Sequence, residues 1–177
     1  MKINPGASAL LASLVLSTLT GCSMTDTNES DSLPSAGTST TSQAADQAEK
    51  VSSDLFDLIG LKGTTTKTRA GVSECSGKDP EKYFTVFHPW TFTPASPEQL
   101  DGVMERLKEE MPKHGWKIVG YGPDNSKNRN LTITADNDAK KYGVKIAHFA
   151  KDARPNLNVF LTSGCYQVPD GEKVERF

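Results

Sequence analysis

The sequence predicts an α+β fold, a two-layer sandwich with two helices packed on one antiparallel sheet. Two observations predict it. Two segments, 43–59 and the run from Ser96 to Met111, carry apolar residues at the spacing of a helix face. Six other stretches are short, alternating or rich in aromatic and β-branched residues, and Gly, Pro, Asn and Asp fence them off. The order is helix, two strands, helix, four strands. Short links between strands favour antiparallel neighbours, because a parallel crossover needs about a dozen connecting residues.

In chain order, Ala44, Ala48, Val51, Leu55, Leu58 and Ile59 form the apolar stripe of the first helix. Gly60 follows as its C′ residue, with Leu61 placed to touch Phe56 as in a Schellman turn. The polar face holds Asp46, Glu49, Asp54 and Asp57. That acidity suits packing on the domain better than lying on a membrane, for which Lys and Arg are wanted. Residues 64–75 and Tyr83–His88 are expected to pair as a hairpin. His88-Pro89-Trp90 is expected to interrupt the second of these strands, with an edge or a bend there, since Pro donates nothing to a ladder.

The second helix starts with Ser96 as N-cap, Pro97 at N1 and Gln99 at N3, a capping box. Leu100, Val103, Met104, Leu107 and Met111 make its buried stripe, and Pro112 should stop it. The four strands Trp116–Tyr121, Asn130–Ala135, Tyr142–Phe149 and Asn156–Thr162 then form a meander. Trp116, Ile118, Leu131, Ile133, Val144, Ile146, Leu157, Val159 and Leu161 share one parity and are expected to face the helices. Residues 168–177 read as a flexible polar tail, and the globular domain as 43–167.

The N-terminus is of another kind. Residues 1–21 have the parts of a secretory signal: Lys2, a short apolar run from Ala7 to Leu19, and a small residue, Gly21, before the cut. The run is shorter than the roughly 20 residues a spanning helix needs. Leu19-Thr20-Gly21-Cys22 resembles the lipobox of bacterial lipoproteins. The resemblance implies a signal peptide removed before Cys22, a diacylglyceryl group on the Cys22 thiol, and attachment to the extracytoplasmic face of a cell membrane. The residues alone leave open an ordinary secreted protein with a cysteine near its cleavage site. Residues 22–42, rich in Ser and Thr and poor in large apolar side chains, read as a disordered tether, about 25 Å in mean span. This layout is similar to that of small uncharacterised actinobacterial lipoproteins, which implies an envelope location and nothing more.

With Cys22 taken by lipid, Cys75 and Cys165 remain as an even pair, and the oxidising compartment makes one disulfide the expected outcome. A metal site or a reactive thiol is the alternative, without C-x-x-C or His-x-His spacing to support it. The formal charge of −2 becomes −3 when Lys2 leaves with the leader. A mildly acidic, mixed surface offers no basic field for nucleic acid.

Motifs for chemistry are thin. His88, His114 and His148 are scattered, there is no G-x-S-x-G, no phosphate loop and no H-E-x-x-H, so no cofactor or metal is implied. Asp124-Asn125 and Asp136-Asn137-Asp138 fit turns first, because neither continues into a calcium loop. The feature that points outward lies on the opposite sheet parity. Val119, Tyr121, Phe149 and Phe160, flanked by Lys117 and Lys145, should leave the core face as an apolar patch with a basic rim, a mark of a partner surface. The competing expectation is that the first helix or the opening hairpin covers it. The sequence therefore favours a membrane-anchored binding module for an envelope protein or ligand. An envelope hydrolase is the rival, and it would require a cleft with paired carboxylates or a His-centred cluster.

Overall fold

The computed structural model describes residues 33–177. The signal segment, Cys22 and the first part of the tether lie outside the described residues. Nine strands form one sheet: β1 (Ser35–Thr38), β2 (Gly63–Thr65), β3 (Gly71–Glu74), β4 (Tyr83–Pro94), β5 (Lys117–Pro123), β6 (Leu131–Asn137), β7 (Tyr142–Phe149), β8 (Asn156–Ser163) and β9 (Cys165–Gln167). The helices are α1 (Thr41–Ile59) and α2 (Val103–Glu110), the latter flanked by 3-10 turns at Pro97–Leu100 and Met111–His114. The strand order is β1-β9-β4-β8-β7-β6-β5, with β2 and β3 both pairing with the far side of β4. All pairs are antiparallel except β1 with β9.

Helices packed on a largely antiparallel sheet and one disulfide, Cys75–Cys165, are as expected. The flat two-layer sandwich is not. The sheet curls into a half-barrel and outweighs the helices. Right-handed twist accumulated over so many strands favours curling.

Two rows show how the faces divide. Trp90, Val159, Ile146, Ile133 and Tyr121 stand side by side across β4, β8, β7, β6 and β5, and belong to or pack on the core beneath the helices. Pro89, Phe160, Lys145, Thr134 and Gly120 form the adjacent row on the other face. Alternation of side chains along each strand makes the two rows alternate in burial.

The helix ends follow the local chemistry. The Thr40 hydroxyl accepts from Gln43 N at 3.2 Å and opens α1, and Gly60, at φ 63°, closes it with its N–H on Phe56 O at 3.3 Å. Ser96 and Gln99 do form a capping box, but the helix they open lasts one 3-10 turn. Gly102, at φ 69°, breaks it, and α2 restarts at Val103. All five residues of the expected stripe are nevertheless buried.

Four sequence expectations are corrected. Residues 33–42, expected as tether, supply β1 and the cap of α1. Cys165 N donates to Pro34 O at 2.8 Å, and a side chain at Gly164 would collide with that carbonyl. Pairing with β9, plus Ala36 against the core, offsets the ordering cost of this polar stretch. The tail is also held: Val168 and Val174 are buried, and their N–H groups bond Lys82 O and Glu81 O at 2.9 and 3.1 Å. Residues 64–75 split into two strands. Pro89 does not interrupt β4, but the expected edge is there, because it falls where β2 and β3 part. Its carbonyl faces that gap and accepts from the Thr68 hydroxyl at 2.6 Å. A residue's N–H and C=O point to the same neighbour in an antiparallel ladder, so the missing donor faces the gap too.

Candidate functional site

The outer sheet face is built by the meander. Both helices sit on the other side, α1 against β4 and β8 and α2 against β6. Of the six residues expected there, Val119 is 51% exposed, Phe160 is 45% exposed, Phe149 is half-buried, and Lys117 and Lys145 are exposed. Lys145 stands directly beside Phe160 and Lys117 beside Asp136, so the rim is mixed in sign.

Tyr121 is not on this face. The ladder of β5 on β6 slips between Ile118 and Gly120, leaving Val119 as the extra residue of a bulge. Beyond the bulge the parity reverses, and Tyr121 stands opposite Ile133 on the helix side. Its hydroxyl donates to Glu105 Oε1 at 3.0 Å, and the Lys108 ammonium lies 4.5 Å from its ring centre. Burial, then the Glu105 carboxylate, holds the Tyr121 hydroxyl above its ordinary pKa.

Two residues join the face that the alternation had not supplied. Phe87 stacks on Phe160 with ring centres 6.2 Å apart, and Pro89 is the cross-strand neighbour of Phe160. The Phe87 ring lies over Gly71 of β3, so a side chain at Gly71 would displace it. Their signal was the odd-numbered parity of β4, hidden because Pro89 argued against a continuous strand.

On the opposite side of β4, a cleft of about 230 Å³ opens between α1 and the β2–β3 connection. His88 and Trp90 of β4 line it, with Ser52 and Phe56 from α1 and Thr65 and Thr66 from β2 and its exit. His88 Nε2 lies 3.0 Å from the Thr68 carbonyl, and Nδ1 lies 2.8 Å from Ser52 Oγ. A carbonyl only accepts, so in the neutral ring Nε2 carries the proton and Nδ1 accepts from the Ser52 hydroxyl. That polarity would prime a serine. Yet Ser52 sits mid-helix, where backbone N–H groups are committed to the helix ladder and leave no free pair to hold an oxyanion. The pair fixes α1 to β4. Beside it, Trp90 Nε1 is buried and has no hydrogen-bond partner among the described residues. Sequence reading named His88 and passed over Ser52 and Trp90. A serine inside the Ala48–Val51–Leu55 stripe was the available signal.

A second, larger recess of about 580 Å³ lies between α1 and the α2 region, lined by Asp54, Arg106, Glu110, His114 and Lys140 among others. Its charges are largely satisfied: Lys140 Nζ donates to Asp54 Oδ2 at 2.8 Å, Arg106 Nη2 to Ile59 O at 2.6 Å, and Lys113 Nζ to Glu110 Oε1 at 2.8 Å. The Lys140 hydrogen bond is the main reason Asp54 sits below its ordinary carboxylate pKa. Asp124 is a turn former. Its carboxylate accepts from Ser126 N, Ser126 Oγ, Asn130 N and Asn130 Nδ2, chiefly the Ser126 hydroxyl, and these hold its pKa down. No described helix is long and apolar enough to cross a membrane.

Comparison with protein-family models, curated proteins and solved structures returns no match to this chain.

Proposed function

We propose that this protein is an extracytoplasmic lipoprotein, anchored through diacylglyceryl on Cys22, whose folded body is a binding module at the cell envelope. The reading of place rests on Leu19-Thr20-Gly21-Cys22 and the apolar run before it. The observation that carries the binding role is the outer face, which no described helix covers. An aromatic pair, Phe87 and Phe160, stands at its centre with Pro89 beside it, Lys145 adjoins it, and the helices cover only the other side. Folding leaves little reason to expose Phe160 at the middle of a sheet, whereas an interface centre is enriched in aromatic residues and ringed by polar ones. The partner is a protein with a matching apolar hollow.

The test is photo-crosslinking in intact cells from a photoreactive residue at position 160. A discrete crosslinked species, lost when Phe87→Ala and Lys145→Glu are added, supports the module. Equal capture from position 160 and from a control site such as Lys173 removes the face as its basis.

A further inference from the structure

We infer that the end of the meander where the β5–β6 and β7–β8 connections meet binds phosphate groups through Lys127, Arg129, Lys151 and Arg154. The inference goes beyond the outer-face reading and does not need it. It begins with what the fold gathers. Residues 124–130 and 150–155 are separated in the chain by β6 and β7. The ladder sets Leu131 beside His148 and Phe149 beside Asn156, so the two connections leave the sheet side by side. Lys151 Nζ donates to Asn128 O at 2.9 Å across them. All four cations are exposed, and none takes part in the six ion pairs of the described residues. The two loops set four cations against Asp124 and Asp152, a net of +2 in a chain whose formal charge is −2.

Local geometry favours an anion over plain solvent. The Asp124 carboxylate accepts from Ser126 N, Ser126 Oγ, Asn130 N and Asn130 Nδ2, so it is turned into its own turn and pairs with no cation. Arg129 stands at φ 53°, a left-handed conformation that Gly and Asn adopt readily and arginine rarely. Its N–H donates to Ser126 O at 3.0 Å and ties that conformation to the turn. The chain thus holds a guanidinium where Asn would fit with less strain. On the helix side of this end, Glu98 and Asp101 share a hollow with His148, Ala150 and Pro155, so an anion is repelled there and meets the loops end-on. Between the cations, Asn125, Ser126 and Asn128 are exposed and polar, and offer nothing to an apolar ligand. Guanidinium forks match phosphate oxygens in pairs, and ammonium groups add donors that turn to fit. Four cations in two loops suit a doubly charged or closely repeated anion, since one carboxylate would leave most of their repulsion in place. Phosphate reaches such a site from two sources, the headgroups of an anionic bilayer and free phosphate.

The test is lysine acetylation of the full chain read by mass spectrometry, with Lys173, which pairs with Glu81 at the other end of the sheet, as internal reference. Vesicles of phosphatidylcholine alone are compared with vesicles that also contain phosphatidylglycerol. Inorganic phosphate is compared with acetate at matched ionic strength. Labelling of Lys127 and Lys151 relative to Lys173 should fall at least threefold with phosphatidylglycerol, with inorganic phosphate or with both, and the arm that responds names the source. Arg129→Asn suits the left-handed turn and keeps the fold, and together with Arg154→Gln it should abolish the protection. Unchanged labelling in both phosphate arms overturns the inference. So does equal protection by acetate, or protection that survives in the double variant. A chain without lipid on Cys22 is mixed with the same vesicles, so failure of the anchor leaves the readout intact.

Discussion

His88 is held at both ring nitrogens, by Ser52 from α1 and by the Thr68 carbonyl from the β2–β3 connection. Ser52→Ala leaves Nδ1 without its donor in a buried setting and is expected to cost about 1–3 kcal/mol in urea unfolding. Trp90→Phe removes a donor that nothing pairs among the described residues, so no hydrogen bond among them is lost. The cavity left by the smaller ring costs stability and relief of the unpaired donor offsets part of it. The loss in the same assay is therefore expected to stay below about 3–5 kcal/mol, the cost of truncating a buried Trp to alanine. His148 contributes one pH dependence. Burial lowers its pKa from 6.5, against the opposing pull of Asp101 and Glu105. A lowered histidine pKa means that the unfolded chain binds more protons near that pH. Its contribution is therefore whole above about 6.5 and is lost as pH falls through the folded value. Thermal melts of His148→Gln should decline less than wild type between about pH 6.5 and 5; parallel declines would exclude His148 as the source.

Among the elements, β5 shows where period-2 reading fails. Alternation from Ile118 puts Tyr121 outside, whereas the bulge at Val119 turns it under α2. Tyr121→Ala should thus cost about 1–2 kcal/mol, less than the 3–5 of a fully buried aromatic, whereas an outward tyrosine would cost almost nothing. A bulge has no composition of its own, which is why the sequence did not reveal it. The close of α1 at Gly60 and the stop near Pro112 were legible because Gly and Pro act locally, whereas the Thr40 cap and the break at Gly102 were not. The four strands of the meander were legible because each buries one face. The continuity of β4 through Pro89 was not, since it depends on where two other strands separate. Nor was β1, whose polar Ser35–Thr38 is ordered by β9, far along the chain. The disulfide ties the end of β3 to the start of β9 across 90 residues of sequence. Cys75→Ser with Cys165→Ser is expected to cost about 4–5 kcal/mol in the chain-entropy picture, read as a lower urea midpoint.

At the scale of the described residues, the half-barrel closes its core with two helices on one side, and no described helix covers the other. The proposed anchor would confine the body near a partner in the same membrane, which would raise the partner's effective concentration without any new contact. The cleft with His88 and Trp90 was beyond sequence reading because α1, β4 and the β2–β3 connection meet only in three dimensions. The account stands on the lipid at Cys22, and the direct measurement is the intact mass of the native chain extracted from membranes, with its N-terminal peptide sequenced. It predicts a chain beginning at Cys22 and heavier than the bare polypeptide by a diacylglyceryl group, with or without a further acyl chain. An unmodified Cys22 thiol, or a chain beginning at any other residue, would contradict it.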